Sequence, residues 1–265
     1  MQLRRVELFL HKSRPEAARL RDELADCLAG NGAEITDQDP DLVIAIGGDG
    51  TILRAAQHAH LADAPLLGIN FGLLGYLTEI EPGDETAAVK RLSEGAYHLE
   101  DRMMLACDTG DGSESSYVAL NEALVERASR HRLVELDVRV GDEHLGTFKG
   151  DGVIIATPTG STAYALSAGG PVVSPRAECL VVVPVNPHMM FSRPFILAPD
   201  ESVEVTVVGA RNGGEAALSL DGAIGRDLGH GTTVTVRRHP RPLRLMRLSG
   251  PGFVERLRAK LGLPG

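Results

Sequence analysis

The chain has 265 residues, of which 43% are hydrophobic and 24% are charged, and its formal net charge at pH 7 is −9. These values are ordinary for a globular protein of one or two domains, and the acidic balance argues against a protein that binds nucleic acid over its whole surface. Because the chain contains no Trp and only 4% aromatic residues, a platform for stacking single-stranded bases is not expected either.

The first hundred residues alternate short apolar runs with helical patterns. Strands are predicted at residues 6–10, 42–46 and 65–70, and helices at residues 14–30 and 51–60. Such alternation is typical of a parallel sheet that carries helices on both faces. We therefore predict an α/β domain with a Rossmann-like parallel sheet over residues 1–100, in which ligands bind beyond the carboxyl ends of the strands.

The pattern changes after about residue 100, where short strands separated by Gly, Asp, Pro and Asn replace most of the helical stretches. The strands are predicted at residues 118–125, 133–140, 153–156, 180–184, 202–208, 216–220 and 232–236. Many short strands with turn signals predict an all-β domain, which we describe as β-sandwich-like over residues 101–244. The tail, at about residues 245–265, is predicted to form a last helix that packs back on the first domain.

Nothing in the sequence predicts export or membrane insertion. The N-terminus is basic but lacks the apolar core and the cleavage site of a signal peptide, and there is no apolar run of about 18 residues. Cys27, Cys107 and Cys179 form no CxxC pair and are predicted to be free buried thiols in a reducing compartment. We therefore expect a cytoplasmic protein without a membrane partner.

The first candidate site is the GGDGT sequence, which follows an apolar strand, opens a helix and consists of Gly47, Gly48, Asp49, Gly50 and Thr51. Its backbone amides and the helix N-terminus favour an anion such as a diphosphate. Because a carboxylate repels such an anion, we expect Asp49 to accept a proton from an attacking hydroxyl, to orient that hydroxyl, or to hold Mg²⁺. The alternative is a tight turn in which Asp49 only caps the helix.

The second candidate site is the segment from Lys149 to Pro171, which is rich in Gly, Ser and Thr. Its hydroxyls and amides suit ribose and phosphate oxygens. Lys149 is suited to neutralise a phosphate, Asp151 to hold a ribose hydroxyl or a charged ring, and Tyr164 to stack on a base. The alternative is a turn between strands that binds no ligand.

Two further polar signals lie outside these segments. Asn121 and Glu122 interrupt an apolar strand, so they face a ligand, complete a buried network or lie at a strand edge in water. His188 and Arg193 lie among three prolines within residues 184–195, where a histidine is more often structural than catalytic.

In their order and spacing these motifs resemble the NAD kinase family. The resemblance covers roughly residues 40–250 and rests on GGDGT, the Asn121–Glu122 pair, the GDG before residues 153–156, TPTGSTAY, SAGGP, the proline-rich segment and Asp221–Gly222. Related glycine loops occur in diacylglycerol kinases, sphingosine kinases and phosphofructokinases, whereas GDG together with TPTGSTAY is specific to the NAD kinases.

The resemblance implies the two-domain NAD kinase architecture and transfer of a phosphoryl group from ATP or polyphosphate to the adenosine 2′-hydroxyl of NAD. Asp49 corresponds to the catalytic base of the family. The positions implied for the donor phosphates are Gly47, Gly48, Gly50, Thr51 and Arg54. The positions implied for NAD are Gly50, Asn121, Glu122, Arg132, Lys149, Asp151, Thr162, Ala163, Tyr164, Ala165, Leu166 and Ser167. Mg²⁺ is implied to be held mainly by the donor phosphates, and the assembly to be a homodimer or homotetramer.

Three positions depart from the pattern of the family. Ala223 follows Asp221–Gly222 where many members have Gln, Tyr76 lies where Phe is frequent, and Asn186 precedes Pro187 where small residues are frequent. Two other functions remain open. A lipid or sugar kinase would use the same glycine loop, but a lipid kinase would need an apolar groove or a membrane-binding helix. An NAD-binding sensor without catalysis would leave the presence of Asp49 unexplained.

Overall fold

The computed structural model describes residues 4–10, 15–70, 75–80, 83–110, 117–129, 131–188, 192–209, 216–248 and 250–263. It comprises two compact units, Met1–Asp101 with Leu243–Gly265, and Arg102–Pro242. Outside the described residues lie residues 71–74, which follow the predicted strand at 65–70, residues 111–116, and residues 189–191 of the proline-rich segment.

The first unit is a layered α/β structure. Its strands are β1 (Arg5–Leu10), β2 (Glu34–Ile35), β3 (Leu42–Ile46), β4 (Leu66–Ile69), β5 (His98–Arg102) and, from the end of the chain, β18 (Leu243–Arg247). Its helices are α1 (Pro15–Gly30), α2 (Asp49–Leu61), α3 (Glu85–Ser93) and α5 (Phe253–Leu261). In the described part of the chain these strands form a six-stranded sheet in the order β2-β1-β3-β4-β18-β5, and the pairs from β2 to β18 are parallel.

Helical periodicity explains how the first unit buries its core. In α1 the residues Ala17, Leu20, Leu24 and Leu28 are spaced by three or four positions, so they form one apolar face, and all four are buried. Strands β3 and β4 are buried along their whole length, as expected for a parallel sheet covered on both faces. The predicted parallel α/β sheet is therefore confirmed, and the carboxyl end of β3 leads directly into Gly47.

The second unit is built from antiparallel strands. They are β6 (Leu105–Asp108), β7 (Tyr117–Ala119), β8 (Glu122–Arg127), β9 (Val134–Val140), β10 (Glu143–Gly150), β11 (Gly152–Ala156), β12 (Leu180–Val185), β13 (Phe195–Leu197), β14 (Val203–Val207), β15 (Ala216–Leu220), β16 (Ala223–Leu228) and β17 (Thr233–Arg238). Among the described residues, one sheet has the order β10-β9-β14-β17-β6-β7 and the other β13-β12-β11-β8-β15-β16. A single 3₁₀ turn (Gly160–Thr162) and the short helix α4 (Tyr164–Ser167) follow β11.

The two sheets of the second unit share one apolar core, which confirms the predicted sandwich-like domain. Alternate residues of β9 and β14, such as Leu136 and Val205, pack in the same core as Val125 and Ile155 from the other sheet. Strands β11 and β12 are buried on both faces, because their remaining side chains pack in a further core that includes Ala165 of α4. The helical turns after β11 are thereby fixed to the sheet.

We predict a single strand at residues 118–125, and this prediction is wrong. The chain forms β7 and β8 instead, and these two strands belong to different sheets. The interruption has a tertiary cause, since the backbone N–H groups of Leu120, Asn121 and Glu122 donate to the carboxylate of the distant Asp221 and are not available to a continuous ladder. Asn121 therefore lies just before β8, and Glu122 is the first residue of that strand.

Candidate active site

In the first unit, the turn between β3 and α2 combines a tight backbone with an open surface. A Cβ atom on Gly47 would lie 2.4 Å from Oγ1 of Thr51, so a side chain at residue 47 would clash with Thr51. A Cβ atom on Gly48 or Gly50 would meet nothing within 4 Å. The turn therefore presents exposed backbone at Gly48 and Gly50, while Thr51 is buried beneath it.

Asp49 is the first residue of α2, and it does not cap the helix. Gly48 is the N-cap residue, with extended backbone torsions, and no side chain accepts a capping hydrogen bond there. The interpretation of Asp49 as a helix cap is therefore wrong. The first N–H groups of a helix have no intrahelical acceptor, and together with the helix dipole they favour an anion at this open turn. Arg54, one turn further along α2, is exposed.

The Asp49 carboxylate lies against a second backbone segment of the same unit. Its Oδ2 accepts a hydrogen bond from the backbone N–H of Tyr76 at 3.2 Å, and its Oδ1 accepts one from Leu77 at 3.3 Å. Lys260 Nζ is 3.3 Å from Oδ2. The Asp49 side chain is nevertheless 32% exposed, so a carboxylate held by three donors remains accessible beside a turn suited to phosphates.

In the second unit, Asp221 organises the Asn121–Glu122 pair. Its carboxylate accepts hydrogen bonds from the backbone N–H groups of Leu120, Asn121 and Glu122 at 2.8, 2.7 and 3.1 Å. Asp221 adopts a left-handed backbone conformation with φ of 50° in the turn between β15 and β16. The turn at Asp221–Gly222, which is one of the motifs that resemble the NAD kinase family, thus fixes the start of β8.

Glu122 is a buried carboxyl group that the described residues leave partly unsatisfied. Its Oε2 is buried and has no hydrogen-bond partner among the described residues. Burial raises the pKa of Glu122 to about 7, and the nearby charge of Asp221 raises it further in the same direction. Burial also raises the pKa of Asp221, although the three backbone N–H groups oppose that rise. An unpaired buried acceptor at this position is suited to a ligand hydroxyl.

The hydroxyl-rich segment after β11 lies directly on Asn121. The backbone N–H of Thr157 donates to the Asn121 carbonyl at 2.8 Å, and the Thr157 hydroxyl donates to the Leu120 carbonyl at 2.6 Å. A Cβ atom on Gly160 would lie 2.0 Å from the Asn121 carbonyl oxygen, so glycine is required for this approach. The structure therefore brings Asn121, Glu122 and the start of this segment together.

Several hydroxyls of that segment are used internally. Ser161 donates to the Pro158 carbonyl at 2.7 Å, and Thr162 donates to the Thr159 carbonyl at 3.2 Å. Along the following turn Tyr164 and Ser167 are exposed, Thr162, Ala163 and Leu166 are half-buried, and Ala165 is buried. A ligand at this surface would thus meet the Tyr164 ring and the Ser167 hydroxyl more readily than the buried hydroxyls.

A second group of predicted residues lies at the other end of β8 and β11. The two strands are antiparallel, with Ala156 opposite Glu122 and Gly152 opposite Glu126. Asp151 precedes β11 and contacts Arg127 Nε at 2.7 Å and Asn186 Nδ2 at 2.8 Å. At roughly 3.4 Å per residue, the length of β11 separates this end from the Asn121 end by about 17 Å.

Lys149 and Arg132 belong with Asp151 rather than with Asn121. Lys149 is exposed near the end of β10, two residues before Asp151, and the backbone N–H of His188 donates to its carbonyl at 2.7 Å. Arg132 is exposed in the connection between β8 and β9. His188 is itself exposed. The predicted NAD-binding residues of the second unit thus form two groups at opposite ends of the same two strands.

Sequence reasoning assigned no role to Asp221, Arg127 or Lys260, which the structure connects to the predicted residues. Asp221 carries a visible signal, because an Asp-Gly pair between two apolar runs is typical of a tight turn. No local pattern marks Arg127 or Lys260, since each contacts its partner through space from a distant part of the chain.

No group of three or more His, Cys, Asp or Glu side chains is arranged to hold a metal ion within the described ranges. None of the helices in these ranges is both long enough and apolar enough to cross a membrane.

Comparison with known proteins agrees with the motifs. Residues 6–97 match the model of the ATP-NAD kinase N-terminal domain, and residues 120–248 match that of the ATP-NAD kinase C-terminal domain. The chain belongs to the ATP-NAD kinase family. The NAD kinase of Leifsonia xyli subsp. xyli is 45% identical over 261 residues, which cover 98% of this chain and 85% of that protein.

Two solved structures of the family share the fold. An NAD kinase from Archaeoglobus fulgidus in complex with ATP superposes with a TM-score of 0.76, at 25% identity and 97% coverage of both chains. Yeast NADH kinase complexed with NADH has a TM-score of 0.89 at 23% identity, covering all of this chain and 89% of the other. These likenesses confirm the predicted two-domain NAD kinase architecture.

Proposed function

We propose that this member of the NAD kinase family transfers the terminal phosphoryl group of ATP to the adenosine 2′-hydroxyl of NAD, giving NADP, with Asp49 as the general base. The observation that carries this assignment is an accessible carboxylate at the first residue of a helix, inside an open glycine turn. A carboxylate at such a turn disfavours phosphate binding, and it is useful where a hydroxyl must be oriented and deprotonated.

We assign the donor phosphates to the turn formed by Gly47, Gly48, Gly50 and Thr51, with Arg54 beyond it. The exposed backbone at Gly48 and Gly50 and the N-terminus of α2 support this assignment, because they favour the negative charge of a triphosphate. Arg54 is exposed one turn along α2 and is suited to contact a phosphate oxygen. Gly50 is also close enough to Asp49 to line the acceptor site.

We assign NAD to the second unit. Asn121 and Glu122 supply a polar site with an unpaired buried oxygen, and residues 162–167, with the exposed Tyr164 ring and Ser167 hydroxyl, follow the turn in which Gly160 lies against Asn121. The residues of this proposed subsite are Asn121, Glu122, Thr162, Ala163, Tyr164, Ala165, Leu166 and Ser167. The mixture of an aromatic ring with hydroxyl and carboxyl groups suits an adenosine moiety.

Lys149, Asp151 and Arg132 form a second proposed NAD-contacting group, and their position supports an oligomer. Because they lie about 17 Å from Asn121 along β11, one adenosine does not reach both groups. A second copy of the chain would supply Lys149, Asp151 and Arg132 to a site whose adenosine end is held by the first. We therefore propose a homodimer or homotetramer, which sedimentation or light scattering measures directly.

Positioning and charge stabilisation carry the proposed reaction. Asp49 orients the 2′-hydroxyl and receives its proton, while the α2 N-terminus stabilises the negative charge on the transferred group. Mg²⁺ would be held mainly by the donor phosphates, and when bound it would neutralise phosphate charge. The free cysteines support a reducing compartment, for which we propose the cytoplasm.

NADP formation by the purified protein tests this function, with NAD and Mg²⁺ and with either ATP or polyphosphate as donor. We expect product with ATP, and the polyphosphate reaction measures whether that donor is also used. Asp49→Asn should lower turnover by roughly 10²–10⁴-fold, the usual contribution of a general base. Asp22→Asn, the same change on exposed α1, is the matched control.

The result that contradicts the proposal is wild-type turnover in Asp49→Asn, or no NADP with either donor. If NAD still stabilised the protein in the absence of product, the sensor interpretation would be favoured. Product formed only from sphingosine, diacylglycerol or a hexose would instead indicate one of the related kinases.

A further inference from the structure

The C-terminal helix α5 is fixed to the backbone segment that holds Asp49. Arg256 of α5 is 3% exposed, and its guanidinium donates to the carbonyls of Gly75 and Thr78. Gly75 begins the segment whose Tyr76 and Leu77 N–H groups donate to the Asp49 carboxylate. One arginine therefore binds the carbonyl side of a short segment while the catalytic carboxylate binds its N–H side.

A buried carboxylate strengthens this attachment. Glu79 Oε2 is 2.9 Å from Arg256 Nη2 and 3.0 Å from Arg247 Nη1, and the Glu79 side chain is 2% exposed. Glu79 Oε1 accepts hydrogen bonds from the backbone N–H groups of Leu248 and Gly250 at 3.0 and 2.8 Å. Because the chain between β18 and α5 is held at several points, the start of α5 has little freedom to move relative to residues 75–79.

Lys260 lies one helical turn after Arg256, so the two side chains project from the same face of α5. Its Nζ is 3.3 Å from Asp49 Oδ2 and 4.4 Å from the centroid of the Tyr76 ring. A lysine ammonium at this distance from an aromatic face gains a cation–π attraction in addition to the ion pair. Burial raises the pKa of Tyr76, and the charge of Asp49 adds to that rise, so the ring remains neutral.

The carboxylate of Asp49 also lies close to Gly75. A Cβ atom on residue 75 would lie 2.3 Å from Asp49 Oδ1, so a glycine is required for this approach of the carboxylate to the backbone. Two backbone N–H groups and one ammonium then determine its orientation. Of these three donors, the ammonium is the one that also offsets the negative charge of Asp49 beside the proposed phosphate site.

We propose that Lys260 is a positioning residue for Asp49, holding the catalytic carboxylate in the orientation in which it accepts the proton of the acceptor hydroxyl. This inference rests on the proposed role of Asp49 as the base. Lys260 comes from the last helix, 211 residues after Asp49, and it acts through the carboxylate without contacting the reacting atoms. Loss of Lys260 therefore slows the chemical step and leaves the binding of both substrates intact.

Steady-state kinetics of Lys260→Met test the proposal, because methionine retains the length of the side chain and removes its charge. We expect kcat to fall about tenfold, the usual effect of losing one charge-assisted hydrogen bond to a catalytic group, with KM for NAD and for ATP unchanged. Lys260→Arg should recover most of kcat, since the guanidinium can still reach Asp49 and stack on Tyr76. The melting temperature of each variant checks that the fold is intact.

Arg258→Met is the matched control, because it removes a cation from the exposed surface of the same helix. If Lys260→Met and Arg258→Met have the same kcat, the proposal is wrong. The proposal is also overturned if the Lys260 variant raises KM for ATP at unchanged kcat, since Lys260 would then bind the donor directly.

A double-mutant cycle separates this inference from the proposed base. If Lys260 acts through Asp49, Lys260→Met causes no further loss of kcat in an Asp49→Asn background. An equal loss in both backgrounds contradicts the positioning role while leaving the base intact. Wild-type turnover in Asp49→Asn contradicts the role of Asp49 as the base. The Asp49 single variant shows this result by itself, so it is distinguished from a failure of the positioning role of Lys260.

Discussion

At the scale of single residues, the buried Glu122 and the partly buried Asp221 form a carboxyl pair in which the two members have different partners. Asp221 receives three backbone N–H donors, whereas Oε2 of Glu122 has no hydrogen-bond partner among the described residues. Donated hydrogen bonds favour the ionised form and burial favours the neutral one. The pair therefore holds its negative charge mainly on Asp221 and its proton mainly on Glu122.

The raised pKa of Glu122 predicts a pH-dependent stability. In the unfolded chain its pKa is near 4.5 and in the folded protein it is about 7, so the folded state binds the proton more tightly. The resulting contribution to the free energy of unfolding is fully present below about pH 4.5 and is lost as the pH rises through 7. The loss amounts to at most about 3 kcal/mol.

Glu122→Gln removes this dependence, because glutamine stays neutral. We expect the free energy of unfolding of the variant, relative to wild type, to increase between pH 5 and pH 8, as measured by urea unfolding without ligands. Glu126→Gln, the same change on the same strand, is the control in which the wild-type dependence persists. A difference between Glu122→Gln and wild type that is constant with pH would contradict the buried, protonated state of Glu122.

At the scale of elements, the connection of α5 to residues 75–79 depends on Glu79. A buried carboxylate that pairs with two arginines stabilises little by itself, but removing it takes away the carboxylate that pairs with the buried Arg256, while Arg247 keeps its pair with Glu100 at 2.9 Å. The same glutamate accepts the backbone N–H groups at the entry to α5. Loss of Glu79 should therefore weaken the attachment of α5 to residues 75–79.

We expect Glu79→Ala to lower the free energy of unfolding of the first unit by about 3–5 kcal/mol. Chemical denaturation monitored by circular dichroism measures this change. Glu94→Ala is a suitable comparison, because Glu94 pairs with Lys90 at the surface of α3, where both side chains are more than half exposed, and such pairs contribute about 0.3–0.5 kcal/mol. Equal effects of the two substitutions would show that Glu79 has no special role.

At the scale of the whole molecule, the two units supply different parts of the proposed reaction. The first carries the proposed base and the proposed turn for the donor phosphates, and the second carries the proposed NAD subsite at Asn121 and Glu122. Binding and chemistry should therefore respond to different substitutions. A ligand at 100 times its Kd stabilises the folded state by about 2.7 kcal/mol, which shifts the melting temperature measurably.

NAD should raise the melting temperature of the wild-type protein and of Asp49→Asn by similar amounts, because Asp49 acts on the reacting hydroxyl. Asn121→Ala should lose most of the shift, since it truncates the side chain of the proposed NAD subsite that precedes Glu122. Differential scanning fluorimetry over a series of NAD concentrations provides the measurement. Loss of the shift in Asp49→Asn, with retention in Asn121→Ala, would reverse the proposed division between the units.

Much of the fold follows from local pattern. The strands at 42–46 and 216–220 were predictable to the residue, because each is an apolar run bounded by turn residues. Edge strand β10 was missed since its exposed polar residues weaken the apolar alternation. The start of α2 at Asp49 was missed by two residues because Gly48 caps it without a side-chain signal. Strand β18 was missed because it joins the parallel sheet from the far end of the chain.

The sequence by itself determined the glycine turn, the carboxylate within it, the hydroxyl-rich segment after β11 and the family, because each depends on the identity and spacing of neighbouring residues. The tertiary structure alone decided that Lys260 reaches Asp49, that Asp221 holds the start of β8, and that Glu122 is desolvated. These features depend on distances between residues far apart in the chain and on the exclusion of water, which a local pattern does not encode.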